Sequence, residues 1–385
     1  MTTTTVAVRP TTAPGDPAWA TFDLALATRL IGQGDYAASV AIAVDGAFAH
    51  TAAYGVRVPP PAPLPAPAPI PPPVPGAEPA PTEAPPAVPA EVAVAPVESI
   101  ETADRFRIAS ISKVMTSIVA LQLVEAGQLG LDDPVGARLA QQVGAVPVDP
   151  AVDGITVRQL LGHIAGFPSY QRTFFGGDVD SCPTVANLTL SRPLRNPPGL
   201  AYEYSNLNYC LLGLLIEQVT GRPYAEVVQD QLLTPLGITG MRLAGTFDVN
   251  ETEVLHPSGP GRNYMEVLGA AGSWVATPSE VVTIIDSLDV TKPGFHPLSA
   301  ATVDLMRQPA PGVSYRLDQW YGLGLIVYHD GTWGHTGTVE NAHAMVLHRP
   351  DGVTWSVLVS GEAPWNTDDL RRIFDEAVFE SGVVL

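Results

Sequence analysis

The 385-residue chain is 46% hydrophobic and 15% charged, enough apolar material to bury a real core. Its formal net charge of −19 offers no basic stripe to a phosphate backbone and repels an anionic membrane, so nucleic acid is excluded as an expected partner. There is no apolar run of about eighteen residues to span a membrane, and the opening MTTTTVAVRPTTAPGDPAWATFD lacks the apolar stretch of a signal peptide; a cytoplasmic location is the expectation.

Residues 17–34 (PAWATFDLALATRLIGQG) predict an amphipathic helix closed by glycine. Residues 38–56 predict two strands joined at Asp45-Gly46, a strong hairpin signal. Residues 59–96 hold 17 of the 39 prolines and no aromatic residue, a low-complexity run that cannot join a helix or a sheet interior. The one helix and one hairpin before it are too little for a separate core. The segment therefore reads as an insertion within a single domain spanning 1–385, with a spacer as the default role.

A helix follows in FRIASISKVMTSIVALQLVEAG (106–127), then a helix and turn in ITVRQLLGHIAGF (155–167). A loop and long helix come next (197–221), then a helix over 222–238 and a glycine-rich turn entering a helix at Pro278. Residues 321–360 predict three consecutive strands with turns near Asp330-Gly331 and Asp351-Gly352, and RRIFDEAVFESGV closes the chain as a helix. Strands at both ends with helices between them predict an α/β (α+β) fold, one antiparallel sheet flanked by helices plus an all-helical lobe. Two cysteines are too few for a disulfide framework, and Cys210, in an apolar helical run, reads as a small buried hydrophobe.

The chain has only two lysines, Lys113 and Lys292. Ser110 and Lys113 stand three apart, so on a helix their side chains meet. Apolar Ile111, Val114, Met115, Ile118, Val119 and Leu121 wrap most of that helix, which buries it and the lysine with it. Burial lowers a lysine pKa and makes the amine a proton acceptor, while a helix start favours developing negative charge on the serine. A serine three before a lysine arises often enough by chance that burial carries the reading.

Tyr204-Ser205-Asn206 follows a Pro-Pro-Gly turn and precedes a helix, a loop position from which Tyr204 could shuttle a proton and Asn206 hold a substrate amide. Ser205 or Asn206 as a helix cap with Tyr204 as packing explains the same residues equally well. His335-Thr336-Gly337 begins a strand, with the glycine letting another backbone approach. His163 has no second ligand at helical spacing and reads as structural. HExxH, CxxC, GxGxxG and GxSxG motifs do not occur, so no metal or cofactor is expected.

Ser110-Ile-Ser-Lys113, Tyr204-Ser-Asn206 and His335-Thr-Gly337, in that order and at wide spacing, resemble the three motifs of the serine β-lactamase and penicillin-binding-protein superfamily. The Tyr-x-Asn form of the second motif is similar to the class C β-lactamase and esterase branch, which includes carboxylesterases and D-aminopeptidases. The resemblance covers nearly all of the chain outside 59–96. It implies Ser110 as acylated nucleophile, Lys113 as its activating partner, Tyr204 as proton relay or base, and Asn206, His335, Thr336 and Gly337 as substrate-binding residues. The backbone N–H groups of Ser110 and Thr338 would form the oxyanion hole. Lys113 and Tyr204 remain alternative bases for the serine proton.

The sequence departs from the family at His335, where lactamases of this branch carry lysine. An imidazole anchors a carboxylate less well than an ammonium, which favours an esterase, amidase or peptidase over a true β-lactamase. The expected partner is a small acyl substrate. An acyltransferase using the same acyl-enzyme and a non-catalytic receptor of this fold are the alternatives.

Overall fold

The computed structural model describes residues 12–58, 98–364 and 366–385; the proline-rich run lies outside them. Seven strands make an antiparallel sheet: β1 (Ala37–Val44), β2 (Ala47–Gly55), β6 (Gln319–Tyr321), β7 (Ile326–Tyr328), β8 (Trp333–Val339), β9 (Ala342–His348) and β10 (Val353–Ser360). Their order is β2-β1-β10-β9-β8-β7-β6. Short β3 (Phe106–Arg107), β4 (Arg242–Leu243) and β5 (Trp274–Ala276) pair separately in the order β3-β5-β4. The first and last strands meet in register, with Ala37 opposite Ser360 and Val44 opposite Val353, so both ends of the chain build one sheet.

Residue alternation explains why β1 is buried on both faces. Ala38, Val40, Ile42 and Val44 join Trp355, Val357, Val359, Met345 and Leu347 in one core beneath the terminal helices α1 (Pro17–Leu30) and α12 (Asp369–Ser381). The opposite positions, Ala41 and Ala43, are small and meet Val282 of the helix Pro278–Asp286. That helix starts as expected, with Pro278 in its first turn and a capping box between Thr277 and Glu280. The Asp45-Gly46 hairpin is also as expected, both residues having positive φ.

The helix Pro278–Asp286 is α10 and lies on the sheet against β1, β9 and β10; α2 (Ser112–Glu125), α3 (Gly136–Val143), α4 (Val157–Leu161), α5 (Gln171–Phe175), α6 (Cys182–Leu190), α7 (Asn206–Thr220), α8 (Tyr224–Val228), α9 (Tyr264–Leu268) and α11 (Ala300–Met306) are the other helices between the terminal ones. No helix among the described residues is long and apolar enough to cross a membrane. Every residue of α2 from Ser112 to Leu121 is buried.

Two expectations are corrected. The stretch 321–360 is not three strands: a tight turn at Glu340-Asn341 separates β8 from β9, with Asn341 left-handed in place of the glycine that marked the other turns. Cys210 is not a free hydrophobe, because α6 packs against α7 and a disulfide joins it to Cys182 across a Cα separation of 5.7 Å.

Candidate functional site

The segment entering α2 is a 3-10 turn, Ala109–Ile111, with Ala109 held at a left-handed φ of 48° just before Ser110. The turn and the helix put Ser110 and Lys113 on one face, as the spacing predicts: Lys113 Nζ lies 2.9 Å from Ser110 Oγ. Two further oxygens surround the amine, Asn206 Oδ1 at 2.8 Å and the Ala271 carbonyl at 2.7 Å. Among the described residues, no carboxylate partners it. Burial drives the Lys113 pKa well below the usual lysine range. The contact set fits a neutral amine that donates its two protons to Asn206 and Ala271 and presents its lone pair to the Ser110 hydroxyl.

Tyr204 comes from the loop before α7, and its ring face lies 4.9 Å from Lys113 Nζ. Its hydroxyl hydrogen-bonds Ser110, but burial outweighs that bond and pushes its pKa well above the ordinary phenol value. Tyr204 is therefore a proton donor at neutral pH, not a standing phenolate. Ser205 occupies the cap position of α7, yet its hydroxyl donates to the Pro168 carbonyl at 2.7 Å instead of capping. Asn206 is buried, and its amide oxygen holds Lys113, a use additional to the substrate contact the motif suggests.

The third motif arrives on β8, which runs past the Ser110 turn. A β-carbon at Gly337 would stand 2.3 Å from the Ile108 carbonyl and 3.1 Å from Ser110 N, so only glycine lets the two backbones approach. Ser110, Tyr204, His335, Thr336 and Thr338 all line one cavity of about 540 Å³. His335 is buried. Its Nδ1 donates to the Thr336 carbonyl and its Nε2 accepts the Tyr321 hydroxyl at 3.0 Å. Desolvation lowers its pKa to about 3, so the imidazole is neutral and both nitrogens are engaged.

Sequence reasoning missed most of the cavity wall. Tyr202, Tyr315, Trp320 and Tyr321 form an aromatic side, and Arg316 and Asp368 face each other at 3.6 Å across the rim. These residues lie in loops and short strands with no motif; clustering of aromatics near 315–321 was the only available signal. The Ala271 carbonyl was equally invisible, although the glycine-rich turn that aims it was recognised. His163 is buried beside Tyr204, with ring centroids 4.2 Å apart, and is not among the residues lining the cavity.

The family described as Beta-lactamase matches residues 27–378. Penicillin-binding protein 4 of Amycolatopsis lactamdurans is 29% identical over 311 residues, 72% of this chain and 78% of that one. A putative fimbrial assembly protein, FimD of serogroup D from Dichelobacter nodosus, is 27% identical over 282 residues, 69% of this chain and 68% of the relative. Two shorter matches reach only 32% of the length of their relatives. The D-amino acid amidase of Ochrobactrum anthropi SV3 superposes with a TM-score of 0.68 at 18% identity, over 95% of this chain and 100% of the amidase.

Proposed function

The chain belongs to the beta-lactamase family, and from that premise we propose that it is a serine hydrolase of ester or amide bonds working through an acyl-enzyme on Ser110. The observation that carries the reading is the buried Lys113 amine, its pKa lowered by burial, 2.9 Å from Ser110 Oγ. Ser110 Oγ attacks the acyl carbon while its proton passes to the Lys113 lone pair. The backbone N–H groups of Ser110 and Thr338 receive the oxyanion. The C–O or C–N bond then breaks, and the Tyr204 hydroxyl protonates the leaving group, regaining its proton from Lys113. Water attacks the Ser110 ester and gives a proton to the same pair; the C–Oγ bond then breaks, Ser110 Oγ takes that proton back, and the acid leaves. The depressed lysine and elevated tyrosine favour Lys113 as the base.

The aromatic wall suits an apolar or aromatic group next to the scissile bond. A neutral His335 with both nitrogens engaged is a poor anchor for a substrate carboxylate, which favours an esterase or amidase over a β-lactamase. The amidase resemblance lends weight to amide substrates. We also read 59–96 as an insertion: its flanks are tied by a bridge between Val56 and Ser99. The disulfide is at home in an oxidising compartment, which removes support from the cytoplasmic expectation.

Intact-mass analysis with a fluorophosphonate probe tests the assignment. A single adduct on wild type that disappears in Ser110→Ala is expected; no adduct, or one that survives the substitution, overturns it.

A further inference from the structure

His163 follows α4, is fully buried, and holds a left-handed backbone (φ 55°) that residues with a β-carbon seldom adopt. Two hydrogen bonds fix that conformation. Its carbonyl accepts the N–H of Glu203 at 2.9 Å, and its ring Nδ1 accepts the N–H of Ser205 at 3.3 Å. Those are the residues on either side of Tyr204, so one histidine grips the backbone before and after the tyrosine.

The ring state follows from the donors. A backbone N–H can only donate, so Nδ1 is an acceptor, which Asn208 Nδ2 approaches as a second donor at 2.9 Å. The single ring proton therefore sits on Nε2, which is buried and has no nitrogen or oxygen partner. Tyrosine rings surround it instead: Tyr204 at 4.2 Å, Tyr321 at 4.7 Å, Tyr209 at 5.1 Å and Tyr202 at 6.3 Å between centroids. An unpaired buried donor is unfavourable, and packing alone would be better served by leucine or phenylalanine. His163 does not line the cavity.

We propose that His163 is a positioning residue that holds the Tyr204 hydroxyl against Ser110 by clamping the peptides on both sides of the tyrosine. This rests on the reading of Tyr204 as the proton donor. The clamp acts through a ring acceptor and a left-handed carbonyl together, a combination that asparagine can reproduce. Asparagine tolerates left-handed φ and places an amide oxygen near the position of Nδ1.

Ester turnover is measured for His163→Leu, His163→Asn, Tyr204→Phe and the Tyr204→Phe/His163→Leu double variant, each corrected for the active fraction by fluorophosphonate titration. His163→Leu should lose about 10²-fold in kcat with KM little changed, the scale of a misplaced catalytic group. His163→Asn should recover most of that loss, and the double variant should be no slower than Tyr204→Phe alone. If His163→Leu does not fold, His163→Asn against His163→Gln decides: glutamine has the acceptor without the left-handed preference and should be the slower, and equal rates overturn the clamp. Losses that multiply in the double variant, or an unimpaired His163→Leu beside a crippled Tyr204→Phe, overturn the positioning role. A Tyr204→Phe enzyme with wild-type turnover overturns the reading of Tyr204 itself.

Discussion

Replacing Lys113 with methionine keeps an unbranched side chain of similar length and removes the amine. Asn206 Oδ1 and the Ala271 carbonyl then lose their donor inside the protein, each at about 1–3 kcal/mol. Part of this is offset, because the lysine itself is costly in the fold. Its pKa is lowered on folding, so near neutrality the unfolded chain binds a proton that the folded one does not. Wild-type stability should therefore rise with pH from the depressed folded value up to the free lysine value, and Lys113→Met should flatten that slope. The kinetic effect is larger: loss of a general base costs about 10²–10⁴-fold. The assay is the rate of fluorophosphonate labelling across pH. Wild type should gain reactivity through an apparent pKa well below that of free lysine, and Lys113→Met should be slow throughout. A Lys113→Met protein that labels at the wild-type rate with the wild-type pH profile would refute the reasoning.

Gly337→Ala should push β8 away from the Ser110 turn and lower kcat by about 10²-fold, read from turnover of a small ester by a still-folded protein. Cys182→Ser should lower stability by ~3.5 kcal/mol, from the 28-residue separation of the cross-linked cysteines, and a reductant should lower the Tm of wild type but not of the variant. Asp35 is buried, with Oδ1 on the Ala363 N–H at 2.9 Å and Oδ2 unpartnered, and its carboxyl is raised to about 7. The raised folded pKa makes stability fall as pH climbs from about 4 through 7. Asp35→Asn should thus stabilise the protein by up to ~4 kcal/mol at pH 8 and have little effect at pH 4, as urea melts at the two values will show.

The elements that could be read in the sequence were those whose determinants are local. Lys113 was legible because apolar residues surround it within its own helix, and the Asp45-Gly46 turn because two residues specify it. The Glu340-Asn341 turn was hidden, since asparagine can take a left-handed conformation without the glycine that advertises one. The disulfide depends on how α6 lies across α7, which no spacing of two cysteines encodes. The His163 clamp depends on a backbone angle and on the return of the 203–205 loop, contacts separated by some forty residues. The cavity wall is harder still. Tyr202, Tyr315 and Trp320 converge only after the sheet and the helical lobe have docked.

The pairing of β1 with β10 also bears on the order of assembly. Val44 must wait for Val353, and the strand that passes the Ser110 turn is itself flanked by β9, which leans on β10. Contacts over such a distance carry a larger loop-closure cost than contacts within a helix, so the sheet is the high-contact-order part of the fold. The low lysine pKa is thus a property of the closed fold: where the sheet is incomplete, Lys113 is open to water and carries the ordinary lysine charge.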